Sequence, residues 1–110
     1  MTSVIYEPFK EETSLCIMGH CNAGRINGMD LCCCAVSMLT YTLIDSLKKL
    51  KLRKFRYSYG GGWCHVYFQN KGKDYKKGKI VADTIINGLK LLEKKYPDNV
   101  KIYLKEGDGK

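Results

Sequence analysis

His20 and Cys33 are the two side chains whose types and spacing suit a shared chemistry. His20 ends a predicted strand and Cys33 lies in the first turn of a predicted helix, with a glycine-containing loop between them. The positive end of a helix dipole favours the thiolate form of a cysteine, and a neighbouring histidine can take its proton. Such a pair is the nucleophile and base of a cysteine hydrolase. The alternative is a cysteine that only packs in the core.

The six cysteines, three of them consecutive at positions 32, 33 and 34, are expected to be reduced thiols. No signal peptide is visible, and no apolar run approaches the roughly 20 residues that cross a bilayer. We therefore expect a cytoplasmic protein without a membrane segment, in a compartment where disulfides are rare. No pair of cysteines has the spacing of zinc ligands, and consecutive helical residues point about 100° apart. The sequence predicts no metal and no other cofactor.

The charge of the chain is concentrated in its middle third. The 110 residues, enough for one domain over 1–110, carry a net charge of +8. Residues 48–79, called the basic block below, hold eleven Lys and Arg against a single acidic residue, Asp74. Such a block attracts polyanions, including RNA, DNA or an acidic protein, or it forms a solvated surface. Charge alone does not identify a partner.

Hydrophobic periodicity predicts the element order ββαββαβ. We expect an α+β two-layer domain in which two helices pack on one mixed or antiparallel sheet. A long helix opens at Asp30, a preferred N-cap residue, and a second helix ends before Pro97. The predicted strands are 2–7, 13–18, 54–59, 63–69 and 100–104, the second helix is 79–96, and the main loops are 21–29 and 70–78.

Three segments resemble motifs of the ribosomal-processing cysteine protease (Prp-like) family. Residues 19–20, Gly-His, and 28–37, Gly-Met-Asp-Leu-Cys-Cys-Cys-Ala-Val-Ser, resemble the family's Gly-His-Ala and Gly-x-Asp-Ile-Val-Cys-Ala-Ala-Val-Ser. Residues 96–102 resemble its closing Tyr-Pro-x-x-Val-Lys-Ile. The resemblance covers nearly the whole chain. The chain departs from it at Cys21, Cys32 and Cys34, where the family has Ala, Val and Ala.

The resemblance implies a homodimeric cysteine endopeptidase with Cys33 as nucleophile and His20 as base. Its implied substrate is a protein. Members of the family remove an N-terminal extension from the twenty-seventh protein of the large ribosomal subunit, and some act on phage capsid or scaffold proteins. The acyl-enzyme route of such an enzyme requires His20 to act first as acid and then as base.

Asp30 and Ser37 match an acid and a serine of the family motif and are predicted to support catalysis. As N-cap, Asp30 would fix the helix start that aims Cys33. Ser37 lies four residues after Cys33, so its hydroxyl could reach the sulfur or the substrate. The alternatives are a cap without a catalytic role and a serine bonded to a helix carbonyl.

The loop at 21–29 is predicted to close over an extended substrate peptide. Its glycines, Gly24 and Gly28, are the predicted substrate-loop residues, and a simple connection is the alternative. If the loop folds inward, Cys21 could form a reversible disulfide with Cys33. A passive small residue at position 21 is the other hypothesis.

A non-catalytic module of the same fold is the alternative function. The hairpin that contains Lys54, Phe55, Arg56 and Tyr57 interleaves basic and aromatic side chains, a pattern that suits single-stranded nucleic acid or proximity to the ribosome. His65, on the following strand, is predicted to be a strand residue and not a second base.

Overall fold

A computed structural model describes residues 1–105 and has the predicted element order ββαββαβ. The predicted α+β architecture, one mixed sheet with two helices, is confirmed. The strands are β1 (Thr2–Pro8), β2 (Glu12–Met18), β3 (Arg56–Gly60), β4 (Trp63–Gln69) and β5 (Val100–Leu104), and the helices are α1 (Leu31–Lys48) and α2 (Tyr75–Lys95).

The five strands form one open sheet in the order β3-β4-β2-β1-β5. Neighbouring strands are antiparallel except β1 and β5, which are parallel because the chain crosses over through α2 before β5. β2 is a central strand between β1 and β4, and it ends at Met18. The residues that follow β2, including His20, therefore leave the sheet from its middle.

Alternate residues of the central strands form the core on the face that the helices cover. Strand residues such as Val4, Leu15 and Phe68 are fully or almost fully buried, as are Leu43 of α1 and Leu89 of α2. The side chains between them point to the opposite face, which no helix covers, and are half-buried. This period of two is the pattern of a sheet with one face against a core.

α1 is long and apolar enough to meet the criteria for a membrane-spanning helix, with a mean hydropathy of 1.3 over 18 residues. Leu43 and Leu47 are nevertheless fully buried in the core, and the exposed side of the helix carries Asp45 and Lys48. A core helix passes the same criteria, so this one helix is weak evidence for a membrane span.

α2 begins at Tyr75, four residues before the predicted start at 79. The prediction of a loop up to residue 78 is therefore wrong for residues 75–78. Gly78 is buried, and a Cβ atom there would lie 2.9 Å from Leu52 Cδ2 and 3.2 Å from the Phe68 ring. The glycine thus permits close packing of the first turn of α2 instead of breaking the helix.

β3 begins at Arg56, two residues after the predicted start at 54. Lys54 has a φ of 52°, a left-handed conformation that cannot continue a strand. β3 is an edge strand, and all five of its residues are exposed. Tyr57 and Tyr59 stack along it with ring centroids 6.4 Å apart, and Phe55 extends this stack at 5.4 Å from Tyr57.

Candidate active site

Asp30 caps α1 and also hydrogen-bonds to the loop that precedes the helix. Its backbone is extended, with φ −89° and ψ 104°, and its Oδ1 accepts a hydrogen bond of 3.1 Å from the backbone N–H of Cys33. Its Oδ2 accepts a 3.0 Å hydrogen bond from the N–H of Ala23. The Cys33 N–H, as the strongest influence, lowers the pKa of this carboxyl below its ordinary value, and the Ala23 N–H acts in the same direction. One carboxylate therefore fixes both the helix start and the loop.

The three consecutive cysteines have three different environments. Cys32 is fully buried in the core, Cys34 is exposed, and Cys33 between them is half-buried. Successive residues of a helix point about 100° apart, which explains the difference. Cys33 Sγ accepts a hydrogen bond from the backbone N–H of Cys21 at 3.3 Å, so the sulfur lies against the loop that follows β2.

His20 is exposed and lies beside the glycine turn between β3 and β4. The preceding residue, Gly19, has a φ of 91°, and its N–H donates a 2.7 Å hydrogen bond to the Gly62 carbonyl. A Cβ atom at Gly62 would lie 2.8 Å from His20 Nε2, so the imidazole rests directly on this glycine. Within residues 1–105, the His20 ring makes no hydrogen bond to Cys33 Sγ. Such catalytic contacts often tighten only when substrate binds.

An open cavity of about 710 Å³ lies at the N-terminus of α1. It contains five of the six residues predicted from the sequence, whereas Ser37 is exposed one turn further along α1 and does not line it. Arg25, Asn22 and Met29 line it as well, and sequence reasoning did not single them out. The lining residues are His20, Asn22, Gly24, Arg25, Gly28, Met29, Asp30, Cys33 and Cys34.

The loop at 21–29 contains a tight turn that the sequence analysis did not predict. Ile26 and Met29 exchange backbone hydrogen bonds of 2.8 and 3.0 Å around Asn27 and Gly28, whose φ angles are both positive. An Asn-Gly pair favours this two-residue turn and was the signal available in the sequence. Arg25 Nη1 donates a 2.8 Å hydrogen bond to the Gly28 carbonyl and closes the turn.

Cys21 is buried behind Cys33. The Thr2 hydroxyl donates to the Gly19 carbonyl at 3.0 Å, so its oxygen accepts from the Cys21 thiol, 3.2 Å away. Burial raises the pKa of Cys21 to about 12, which keeps it a neutral thiol at physiological pH. A neutral thiol attacks oxidised sulfur slowly. All six cysteines are free, and the Cys21–Cys33 disulfide stays a prediction.

No three His, Cys, Asp or Glu side chains in residues 1–105 are grouped closely enough to hold a metal ion. Both oxygens of the Asp30 carboxylate, which lines the cavity, accept hydrogen bonds from backbone N–H groups. A thiol, an imidazole and a capping carboxylate thus line one open cleft at the start of α1. These are the side-chain types that a cysteine protease uses.

The comparisons with known proteins agree with this class. Residues 1–101 match the family described as cysteine protease Prp. The chain therefore belongs to the Prp family of cysteine proteases. A search of curated protein sequences found no match.

Solved structures share the fold at low sequence identity. A ribosomal processing protease Prp from S. aureus, in complex with a covalently linked product peptide, is 20% identical with a TM-score of 0.80, covering 96% of this chain and 100% of that one. SMU.848 from Streptococcus mutans is also 20% identical, with a TM-score of 0.69 and coverage of 96% and 95%. The S. aureus protease with a substrate peptide is 17% identical, with a TM-score of 0.72 and coverage of 96% and 100%.

Gly62→Ala is expected to lower peptidase activity by about tenfold because it displaces the His20 ring. The new Cβ would lie 2.8 Å from Nε2, and the φ of 85° at this residue disfavours any side chain by about 1 kcal/mol. Gly61→Ala is the matched control, since a Cβ at Gly61 meets nothing within 4 Å. The measurements are kcat/KM on a cleaved peptide and the thermal unfolding midpoint. Wild-type activity in Gly62→Ala would show that this turn does not position His20.

Asp30→Asn is expected to lower the stability of the protein at neutral pH. The lowered pKa of Asp30 means that its carboxylate stabilises the fold above the ordinary value of 3.8, and that this contribution is lost as the pH falls through the lowered pKa. The stability difference between wild type and Asp30→Asn should therefore be largest near pH 7 and shrink below about pH 4. Denaturant unfolding at pH 7 and pH 3 measures it.

The control for this variant is Asp45→Asn, on the exposed side of α1. Among the described residues, 1–105, Asp45 pairs with Lys49 alone, and both side chains are largely exposed, so its contribution to stability is small at either pH. A pH-independent loss of stability in Asp30→Asn would contradict the role assigned to the carboxylate charge.

Proposed function

We propose that the chain is an endopeptidase in which Cys33 is the nucleophile and His20 the general base. The observation that carries this proposal is the position of the Cys33 sulfur, in the first turn of α1 and in the same cleft as His20. The helix dipole favours a thiolate there, and the Cys21 N–H that contacts the sulfur adds a second favourable dipole.

In the proposed mechanism, His20 takes the proton of the Cys33 thiol and the sulfur attacks the peptide carbonyl carbon. The carbonyl oxygen becomes an oxyanion. The N–H groups of Cys33 and Cys34 are bonded to Asp30 throughout, whereas the Cys21 N–H is bonded to the sulfur itself. The sulfur loses its negative charge when it forms the C–S bond, so the Cys21 N–H can then donate to the oxyanion. The imidazolium then protonates the leaving amine, which leaves an acyl-enzyme. His20 next takes a proton from water, whose oxygen attacks the thioester and releases the product.

Asp30 is the proposed positioning residue of this pair, because it ties the start of α1 to the loop. Ser37 lies outside the cavity, so its proposed contact is with a substrate residue bound further along α1. Gly24 and Gly28 have positive φ angles and open space around their Cα atoms. This openness supports a loop that closes over the peptide when substrate binds.

The proposed substrate is a precursor of the twenty-seventh large-subunit ribosomal protein, or a phage structural protein. The support is family membership and the S. aureus relative, which is described as a ribosomal processing protease and binds a substrate peptide. Incubation with the extended precursor should shorten it, as read by intact mass, and Cys33→Ala should leave it uncut. If the wild-type enzyme leaves the ribosomal precursor intact but cleaves a phage capsid or scaffold protein, the substrate is the phage structural protein instead.

We further propose that the chain is a single domain, that it forms a homodimer and that it acts in the cytoplasm. The exposed apolar surface that supports dimerisation spans α1 and the edge strand β3, where Met38, Tyr41 and Tyr59 are each more than half exposed. Tyr41 and Tyr59 contact each other edge to face, at 6.5 Å between ring centroids. Apolar patches of this kind are typical of interfaces. Sedimentation equilibrium distinguishes the dimer from a monomer.

The alternative function, nucleic-acid or ribosome binding through the basic block, has weaker support. The Arg56 guanidinium lies 3.7 Å from the centre of the Tyr67 ring and forms an ion pair with Glu12 at 3.2 Å. Its positive charge is therefore partly neutralised within the sheet. Lys49 and Lys77 also pair with acidic side chains. The block therefore offers less free positive charge than its composition suggests.

A further inference from the structure

Asn99 connects the far end of the chain to the loop that carries the site. It lies between α2 and β5, and its side-chain amide donates hydrogen bonds of 2.9 Å to the Cys21 carbonyl and 3.2 Å to the Asn22 carbonyl. Both acceptors are carbonyl oxygens, so the NH₂ group of the amide must face them. Asn22 has a φ of 54°, so the backbone bends at this residue. The bend brings the Cys21 and Asn22 carbonyls to the same side-chain amide of Asn99.

Cys21 is held on three sides as a result. Its carbonyl bonds to Asn99, its thiol to Thr2, and its N–H points to Cys33 Sγ at 3.3 Å. The direction of that N–H depends on the other two contacts, because a residue with its carbonyl and side chain fixed has little freedom left. Thr2 and Asn99 are themselves joined, since the Thr2 N–H donates to the Asn99 carbonyl at 2.8 Å.

The side chain of Asn99 is separable from its backbone role. The Asn99 N–H bonds to the Tyr96 carbonyl at 3.0 Å and its own carbonyl bonds to Thr2, so the turn before β5 uses main-chain atoms. Substitution of the side chain leaves these bonds in place. Within residues 1–105, both hydrogen bonds of the side-chain amide go to the loop after β2, so the side chain holds that loop.

We infer that Asn99 is a positioning residue for the Cys33 nucleophile, acting through the Cys21 N–H that it orients toward the sulfur. The inference rests on the proposed function of Cys33. A backbone N–H directed at a sulfur favours the thiolate over the thiol, since it bonds more strongly to the charged form. Loss of the Asn99 amide should release Cys21 and weaken this preference.

The test is the rate at which iodoacetamide alkylates Cys33, followed by peptide mass spectrometry at pH 7 and pH 9.5. Asn99→Asp keeps the shape of the side chain but removes both donors, and Asn99→Ala removes them without adding charge. In both variants the rate at pH 7 should fall about three- to tenfold, the effect of one hydrogen bond. At pH 9.5 the rate should approach that of wild type, because high pH supplies the thiolate directly.

Asn87→Asp is the matched control, an exposed Asn of α2 that gains the same charge away from the cleft. The other titratable and charged side chains around Cys33 are unchanged in every variant: His20, Arg25, Asp30, Cys21, Cys32 and Cys34. A thermal melt of each variant verifies that it is folded. Alkylation of Cys21, which is buried in the intact loop, reports loop disruption directly.

Wild-type rates in both Asn99 variants would overturn the inference. So would an equal fall at both pH values, which indicates a general structural defect, or a fall confined to Asn99→Asp, which indicates only the new charge. Each of these results leaves the proposed function intact as long as Cys33 of the wild-type protein is alkylated first. If wild-type Cys33 shows no preference, the proposed function itself fails, and the inference fails with it.

Discussion

Cys33→Ala is expected to lower kcat/KM for peptide cleavage by about 10³-fold or more, the largest effect of any single substitution in this chain. The sulfur forms the covalent bond to substrate in the proposed mechanism, and the Ala side chain has no nucleophile to replace it. Cys33 is half-buried and packs beside the core, but the loss of one sulfur at such a site is a small change of volume. The variant should therefore fold and bind peptide without cleaving it.

Cys34→Ala is the matched control because Cys34 is the adjacent thiol and the more exposed of the two. Its activity should remain within about threefold of wild type. Measurement of kcat and KM on one peptide separates the variants, since Cys33→Ala should lose kcat. Residual activity in Cys33→Ala together with an inactive Cys34→Ala would move the nucleophile to position 34.

His20→Ala is expected to lower kcat by about 10²- to 10⁴-fold, the usual contribution of a positioned acid–base group. His20 is exposed two residues after the end of β2, and its ring makes no hydrogen bond within residues 1–105. The loss should therefore appear in activity, while the thermal unfolding midpoint changes little.

His65→Ala is the control for this variant, as His65 is the other histidine of the chain. It lies on the uncovered face of the sheet, where its Nε2 is 3.1 Å from the Ser14 hydroxyl and its ring contacts Tyr67. Its substitution should leave kcat unchanged. An inactive His65→Ala with an active His20→Ala would contradict the assignment of the base.

Much of the fold could be predicted because β1, β2 and β4 alternate buried with less buried side chains at a period of two. β4 is the clearest case: it is the strand predicted at 63–69, and its alternate residues Cys64, Val66 and Phe68 are all buried. The start of α2 could not be predicted, because a glycine next to lysines favours a loop by composition. Gly78 instead serves a close contact with Phe68, and that contact exists only once the sheet has formed.

The candidate site also has a part that could be predicted from the sequence and a part that could not. His20, Asp30 and Cys33 follow local signals: a strand end, an N-cap and a first helical turn. The hydrogen bonds that arrange them around Cys21 join residues far apart in sequence. Asn99 is 78 residues from the Cys21 carbonyl it holds, and an isolated Asn before a strand carries no local signal of such a contact. The role assigned to Asn99 follows from where the tertiary structure places its amide, which the residue type alone does not indicate.

The basic block illustrates the limit of composition as a guide to function. Its charges fall in two runs of the sequence, 48–56 and 71–79. In the structure they are divided among the end of α1, the connection to β3, Arg56 of β3, the loop before α2 and the first turns of α2. Lys48 lies 5.4 Å from the centre of the Tyr57 ring, and Arg56 lies over Tyr67. These side chains lie against aromatic rings of β3 and β4, a contact that a count of charges does not reveal.

The most direct test of the account is to identify which of the six thiols iodoacetamide alkylates first at pH 7. Exposure alone favours Cys34, whereas activation by His20 and the start of α1 favours the half-buried Cys33. The account predicts a first adduct on Cys33 in wild type and the loss of this preference in His20→Ala. A first adduct on Cys34, or equal rates at Cys33 with and without His20, would contradict it.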